Sequence, residues 1–235
     1  MWTTKGIPAG VLTRRRLQEL SRSPGATPGR PVNRPSAPGG DPAAVCPTGA
    51  LSWQGEEVHV ALGRCISCQR CRREADIPWQ PDALWAESLP GLEPTPRSFR
   101  HSLHVRVLDG GDGGETLREL RQLTSPYYAL HRLGIFFTPT PRDADVLLVV
   151  GPVTQGTRQA LLDTYEAMPD PKRVMAVGSA AISGVPTGPS FTASGGVSDL
   201  LPVDVAVPGN PPPPLAILDG LLILMGRSAA KELMP

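Results

Sequence analysis

The four cysteines of the chain are the residues whose type and spacing point most directly to chemistry. Three of them, Cys65, Cys68 and Cys71, form a C-x-x-C-x-x-C run, and the fourth, Cys46, stands upstream in a Cys-Pro pair. Bacterial iron–sulfur segments combine such a run with a Cys-Pro, and where two clusters are present this last cysteine binds the other cluster. On that logic Cys46 joins the three clustered cysteines around one cubane [4Fe-4S] cluster.

The ligand positions of a second cluster hold no cysteine. Counting by the same spacing, those positions are Ser36, Gly39, Pro42 and Ala75. The sequence therefore predicts a single [4Fe-4S] cluster as the cofactor. Two alternatives remain open, a zinc site and four unligated thiols. Zinc sites more often use two separate Cys or Cys/His pairs.

The cluster ligands need a turn and a loop to position them. The turn is predicted directly after Cys46, at P-T-G-A, and a small hairpin follows over residues 51–62 with its turn at Gln54 and Gly55. Residues 63 and 64 lead into the ligand loop. This organisation predicts an extended arm over residues 1–44, a ferredoxin-like cluster segment over 45–77 and a proline-rich linker over 78–97, followed by a larger domain over 98–235.

The composition limits the classes of function. The 235 residues carry 23 basic and 22 acidic side chains, which gives no electrostatic reason to expect nucleic acid as a partner. The 28 prolines and 25 glycines predict many loops and a fold that depends on a cofactor or on partners. We expect no transmembrane segment and no secretory signal, and a cytoplasmic location, because no long apolar run is present and the cysteines are all assigned to the cluster.

The last 138 residues alternate predicted strands with predicted helices. Strands are expected at residues 101–108, 145–150, 174–177 and 203–207, and helices at 116–123, 125–133, 157–168 and 215–225. This pattern predicts an α/β fold, a small doubly wound, flavodoxin-like parallel sheet. The loops at residues 110–115, 178–181 and 208–214 leave strand ends, so we expect them to converge.

Several motifs in this region resemble a known family. They are G-P-V-T at 151–154, Y-E-A-M-P at 165–169 and L-D-G-L-L at 218–222, together with the three converging loops. The resemblance covers about residues 100–227. The family is the small, B-type electron-transfer subunit of complex I and of membrane-bound group 4 nickel–iron hydrogenases. The front of the chain resembles the ferredoxin-type subunit of the same complexes, so the chain resembles a fusion of the two.

The resemblance also implies where a second, proximal cluster would be held. The four positions that carry its cysteines in the family are here Gly111, Gly114, Ala180 and Asn210. None of these side chains supplies a thiolate, so we predict no metal at that site.

The resemblance implies a function for the whole chain. We expect an iron–sulfur subunit of a complex I-like, hydrogenase-related complex, peripheral on the inner face of the cell membrane, with a mainly docking role. The implied partners are a hydrogenase-like large subunit and antiporter-like membrane subunits. One alternative is an active electron-transfer subunit, of NADH:quinone oxidoreductase or hydrogenase type. Another is a one-cluster ferredoxin fused to an unrelated binding domain. The sequence shows no Ser/His/Asp set or paired carboxylates, so no catalytic residue is predicted.

Overall fold

The structure is a computed structural model, and it describes residues 27–34, 41–128 and 130–227. Most of the predicted N-terminal arm, including Ser36 and Gly39, lies outside these residues. Within the part that is described, no helix is long and apolar enough to cross a membrane.

Ten strands and six α-helices are described in chain order. The strands are β1 Arg30–Pro31, β2 Leu51–Gln54, β3 Glu57–Val60, β4 Trp79–Gln80, β5 Glu87–Ser88, β6 Leu103–Asp109, β7 Ile135–Phe137, β8 Val146–Val150, β9 Arg173–Val177 and β10 Val205–Val207. The helices are α1 Pro42–Val45, α2 Arg70–Glu74, α3 Glu115–Gln122, α4 Gln155–Glu166, α5 Ser179–Ser183 and α6 Pro214–Leu224.

Six of the strands form one sheet in the order β5-β10-β9-β8-β6-β7. All neighbours are parallel except β5, which runs antiparallel to β10. Numbered among themselves along the chain, the five parallel strands follow the order 2-1-3-4-5, which is that of flavodoxin-like folds. The prediction of a small doubly wound α/β sheet is confirmed.

The central strand β8 shows why the sheet is covered on both faces. All five of its residues are buried. Val146, Leu148 and Val150 pack into the core that includes residues of α3 and α6. Leu147 and Val149 pack into a second core with residues of α4 and α5. Successive side chains of a strand point to opposite faces, so an uninterrupted apolar run is what two covered faces require.

The prediction of a helix over residues 125–133 is wrong. The structure has turns there, then a 3₁₀ helix at Leu130–Leu133, followed by the strand β7, which was not predicted from the sequence. Leu130 and Leu133 are three residues apart, a spacing that a 3₁₀ turn shares with an α-helix, so the apolar pattern did not separate the two. Gly134 then turns the chain with a φ of +84°.

The cysteine-containing segment has a small core of its own. Strands β2 and β3 pair as an antiparallel hairpin, from Leu51 opposite Val60 to Gln54 opposite Glu57, and the predicted hairpin is confirmed. The core beneath it is formed by Leu51, Val58, Val60, Cys71, Ala75 and Ile77. One of the cysteines is therefore part of the hydrophobic core of the segment it would help to organise.

Residues 78–97, predicted as a linker, contact both parts of the molecule. Strand β4 pairs with β1, and β5 extends the main sheet. Trp85 is buried in the core with α3 and α6. Asp82 forms an ion pair with Arg30, with 3.1 Å between Nε and Oδ1. These contacts attach residues 78–97 to the N-terminal arm on one side and to the α/β domain on the other.

Candidate iron–sulfur site

All four cysteines line a single cavity in the N-terminal part of the molecule. Cys46, Cys65, Cys68 and Cys71 share it with apolar neighbours such as Ala50. Cys71 is buried, Cys46 and Cys65 are half-buried, and Cys68 is exposed. The chain thus brings together four thiols that are up to 25 positions apart in the sequence, with one side open towards solvent.

Local backbone structure places each thiol. Cys46 is the residue that ends α1, and Cys65 ends the 3₁₀ helix at Leu62–Arg64. Cys71 lies in the first turn of α2. Between them the loop curls through left-handed conformations at Ser67 and Gln69, with φ values of 53° and 59°. This curl turns the ligand loop back on itself, so that its cysteines face the cavity.

The thiol of Cys46 is surrounded by hydrogen-bond donors. The backbone N–H of Ala50 donates to Sγ at 3.2 Å, and the Thr48 hydroxyl lies 3.6 Å from it. Burial alone would raise the pKa of Cys46, but these hydrogen bonds, together with those from the Thr48 and Leu51 amides, lower it below its usual value. Donors of this kind stabilise a thiolate, the form that binds metal.

The thiol of Cys65 has the opposite environment. Its pKa is raised to about 11, mainly by burial, with a backbone hydrogen bond from Ser67 that lowers it and the charges of Cys71, Cys46 and Cys68 that add to the rise. The four sulfurs are therefore close enough to repel one another as thiolates. Iron would supply the positive charge that removes this repulsion and keeps a coordinating thiol deprotonated.

The indole of Trp79 supplies a further donor at the site. Its ring lines the cavity, and its Nε1 atom is buried with no hydrogen-bond partner among the described residues. It lies near the thiol of Cys71 but outside regular hydrogen-bond geometry: burial raises the pKa of that thiol, and the nearby indole N–H partly offsets the rise. Buried donors are normally satisfied. A thiolate or sulfide at this position would satisfy this one.

Among the described residues, no three Cys, His, Asp or Glu side chains are grouped closely enough to hold one metal ion. In a cubane cluster each thiolate binds a different iron, so the ligands surround the cluster instead of meeting at one point. Four thiols around one cavity, amide donors at Cys46 and an unsatisfied indole N–H therefore fit an iron–sulfur cluster.

The three loops at the carboxyl ends of the strands do converge. The N–H of Ser179 donates to the carbonyl of Gly209 at 2.7 Å, so the loops that carry Ala180 and Asn210 are directly bonded. At Gly178, a side chain would meet the Thr116 hydroxyl at 3.3 Å, which places the start of α3 against the same point.

The other two positions compared with the proximal-cluster ligands lie in the loop before α3. Gly111 is exposed and Gly114 half-buried, with φ values of 127° and 96°. A side chain at Gly111 would lie 3.0 Å from Cγ2 of Thr154, whereas Gly114 faces open space. Ala180 and Asn210 are both half-buried.

The cluster segment packs against these converging loops. The hydroxyl of Ser179 donates to the carbonyl of Cys65 at 2.6 Å, and that of Ser183 donates to the carbonyl of Gly63 at 2.8 Å. No local sequence pattern predicts this contact, because 114 positions separate Ser179 from Cys65.

Comparisons with known proteins find similarity over about half of the chain. Residues 114–224 match the family described as NADH ubiquinone oxidoreductase, 20 Kd subunit. An uncharacterised protein of Methanocaldococcus jannaschii is 37% identical over 131 residues, which cover 56% of this chain and 88% of the relative. A chain in the structure of the membrane-bound sulfane sulfur reductase, an archaeal respiratory membrane complex, is 35% identical, with a TM-score of 0.49, over 55% of this chain and 71% of that one.

The flavodoxin-like sheet and the matched residues define an α/β oxidoreductase subunit. The chain belongs to the family of the 20 kDa subunit of NADH ubiquinone oxidoreductase. The match begins at residue 114, so the four cysteines lie outside it.

Proposed function

We propose that the chain is the iron–sulfur subunit of a complex I-like, hydrogenase-related, membrane-associated oxidoreductase complex. Cys46, Cys65, Cys68 and Cys71 hold one [4Fe-4S] cluster. The observation that carries this proposal is that all four thiols line one cavity. Membership of the 20 kDa subunit family supports the assignment to an oxidoreductase complex.

When bound, such a cluster accepts and releases single electrons at a potential that its surroundings set. The residues of this chain supply those surroundings. The Ala50 amide and the Thr48 hydroxyl stabilise negative charge on the sulfur of Cys46, and the indole N–H of Trp79 does so beside Cys71. Half-burial of Cys65 limits the access of water to the cluster.

The proximal site of the α/β domain holds no cluster in this proposal. Gly111, Gly114, Ala180 and Asn210 offer no thiolate, and the loops that carry Ala180 and Asn210 instead pack against the cluster segment of the same chain. The subunit therefore has a mainly docking role. It joins an N-terminal arm (residues 1–44) and a cluster segment (45–77), through a connector (78–97), to a domain over 98–235.

The proposed partners follow from the family. They are a hydrogenase-like or complex I-like large subunit and antiporter-like membrane subunits, with the chain bound peripherally at the inner face of the cell membrane. Co-purification from native membranes tests this part of the proposal. Recovery of the chain without a large subunit of this type would contradict it.

A second function, electron transfer through the single cluster, is favoured by one contact. The backbone of Cys65 bonds directly to Ser179 at the converging loops, so the cluster would lie beside the edge of the sheet where the family's proximal site is expected. EPR of the intact complex during turnover separates the two functions. A cluster that is reduced and re-oxidised with a quinone or ferredoxin supports transfer, and one that does not change supports docking.

Metal analysis of the purified chain tests the cluster itself. We expect about four irons and about four acid-labile sulfides per chain, the content of one cubane cluster. About eight irons per chain would contradict the proposal that a second cluster is absent. Zinc, or no metal, would contradict the proposal that the four cysteines hold an iron–sulfur cluster. Single Cys→Ser variants at the four ligands should each lose iron, whereas Ser52→Ala, on the exposed face of the hairpin, should retain it.

A further inference from the structure

Two serine hydroxyls of α5 connect this helix to the cluster-binding loop. Ser179 Oγ donates to the carbonyl of Cys65 at 2.6 Å, and Ser183 Oγ shares its hydrogen between the carbonyl of Gly63 at 2.8 Å and that of Ser179 at 3.0 Å. Ser179 has no solvent-exposed surface. One helical turn therefore satisfies two carbonyls of the loop, and one of them belongs to a predicted cluster ligand.

Ser179 is bonded on its other side as well. The N–H of Gly209 donates to Ser179 Oγ at 3.3 Å, and the N–H of Ser179 donates to the carbonyl of Gly209 at 2.7 Å. A hydroxyl has a single hydrogen to donate, and here it goes to Cys65 while the oxygen accepts from Gly209. One buried group thus links the ligand loop, the start of α5 and the loop after β10.

The helix and the loop approach each other closely at a glycine of the loop. A Cβ atom at Gly63 would lie 2.9 Å from Cγ2 of Ile182. At that distance either the Ile182 side chain or the loop must shift. Residues 63–65 of the loop and residues 179–183 of the helix are therefore in close contact over the whole of both segments.

We propose that Ser179 is a positioning residue for the cluster, an inference that rests on the proposed function. It holds the Cys65 loop on the α/β domain and neutralises the negative end of the Cys65 carbonyl dipole next to the cluster. The loops that carry Ala180 and Asn210, where the family holds its proximal cluster, thereby form the surface on which the cluster segment docks. Hydrogen bonds around the ligands set cluster potentials, so this contact couples the α/β domain to the redox properties of the cluster.

The test compares Ser179→Ala with Thr164→Ala in the full-length chain. Thr164 donates its hydroxyl to the Ala160 carbonyl on α4, so this control loses a hydroxyl hydrogen bond away from the loop. Ser179→Ala should lower the midpoint potential, change the EPR spectrum and speed hydrogen exchange in peptides covering residues 62–71. Thr164→Ala should match the wild-type chain in all three.

A Ser179→Ala chain with the wild-type potential and spectrum would overturn the inference, even if it were less stable. If Ser179→Ala does not fold, Gly63→Ala disturbs the same contact from the loop side and should show the same three changes. An unchanged potential and unchanged exchange in Gly63→Ala would also overturn it. Absence of iron from the wild-type chain would instead refute the proposed function, and exchange in residues 62–71 would still report on the docking.

Discussion

The carboxylate of Asp219 accepts a hydrogen bond from the backbone N–H of Ala86 at 3.4 Å, across 133 positions of the chain. Asp219 lies on α6 and is only 8% exposed. Its pKa is raised to about 6: burial is the main cause, the hydrogen bond from Ala86 partly offsets it, and the nearby charge of Asp82 adds to the rise. The connector (residues 78–97) is thus attached to α6 through a carboxylate that is costly to ionise.

This burial predicts a pH dependence of stability. Between the ordinary aspartate pKa and about 6, the unfolded chain releases a proton that the folded chain keeps, so the free energy of unfolding falls as the pH rises. The slope is at most about 1.4 kcal/mol per pH unit. Asp219→Asn should remove it and stabilise the fold at pH 7. Urea unfolding at several pH values measures the effect.

The control for this prediction is Asp163→Asn, at an exposed position on α4. It should keep the slope of the wild-type chain. An Asp219→Asn chain with the same pH dependence as wild type would show that the carboxylate does not contribute.

A matched pair of glycines tests the turn at the carboxyl end of β8. Gly151 has a φ of +78°, and a Cβ there would lie 2.4 Å from the backbone nitrogen of Asp112. Gly151→Ala should lower the free energy of unfolding by about 2 kcal/mol or more, because both the left-handed backbone and the clash oppose it. Thermal unfolding followed by circular dichroism would measure this.

At Gly156, substitution by alanine is expected to stabilise the fold. It lies in the first turn of α4, with nothing near the position of a Cβ atom. Gly156→Ala should raise the free energy of unfolding by up to about 1 kcal/mol, the difference in helix propensity. Equal effects at the two glycines would contradict the geometry of the turn.

Arg173 lies close to two carboxylates, one largely buried and one exposed, and we expect the two ion pairs to contribute unequally to the free energy of unfolding. Its side chain is 9% exposed, and its Nε lies 3.6 Å from Oδ1 of Asp204, whose side chain is 17% exposed. Burial raises the pKa of Asp204, while the Val174 amide and Arg173 lower it. Arg173→Met should therefore cost on the order of 3 kcal/mol of unfolding free energy, since it leaves a buried carboxylate unpaired.

The second acidic partner of Arg173 gives the control. Its Nη2 lies 3.5 Å from Oε2 of Glu93, a side chain that is 77% exposed. Glu93→Gln should change the unfolding free energy by less than about 1 kcal/mol, as exposed ion pairs do. A larger loss for Glu93→Gln than for Arg173→Met in chemical denaturation would refute this ranking.

The buried indole N–H of Trp79 predicts an effect on the cluster alone. Trp79→Phe keeps the ring that fills the cavity and removes the donor next to Cys71. We expect a lower midpoint potential in an EPR-monitored redox titration, because less positive charge then faces the reduced cluster. Iron content should stay at the wild-type value. A potential equal to that of wild type would show that the indole N–H does not interact with the cluster.

Particular residues show how much of this could be predicted from the sequence. The apolar run of β8 correctly predicted a strand covered on both faces, and the alternation around Val58 and Val60 correctly predicted the hairpin. The three-residue strand β7 was not predicted, because so few residues carry no reliable period. Its stability comes from pairing with β6, more than 25 residues earlier in the chain.

What the sequence by itself determined was local. The C-x-x-C-x-x-C spacing predicted a ligand loop at Cys65, Cys68 and Cys71, and the strand and helix periods predicted the sheet, because neighbouring residues alone produce these patterns. Only the tertiary structure decided that the Ser179 hydroxyl donates to the carbonyl of Cys65 and that the Ala86 N–H donates to the carboxylate of Asp219. Such contacts form between residues far apart in the chain, after the cores have brought them together, and no sequence period records them.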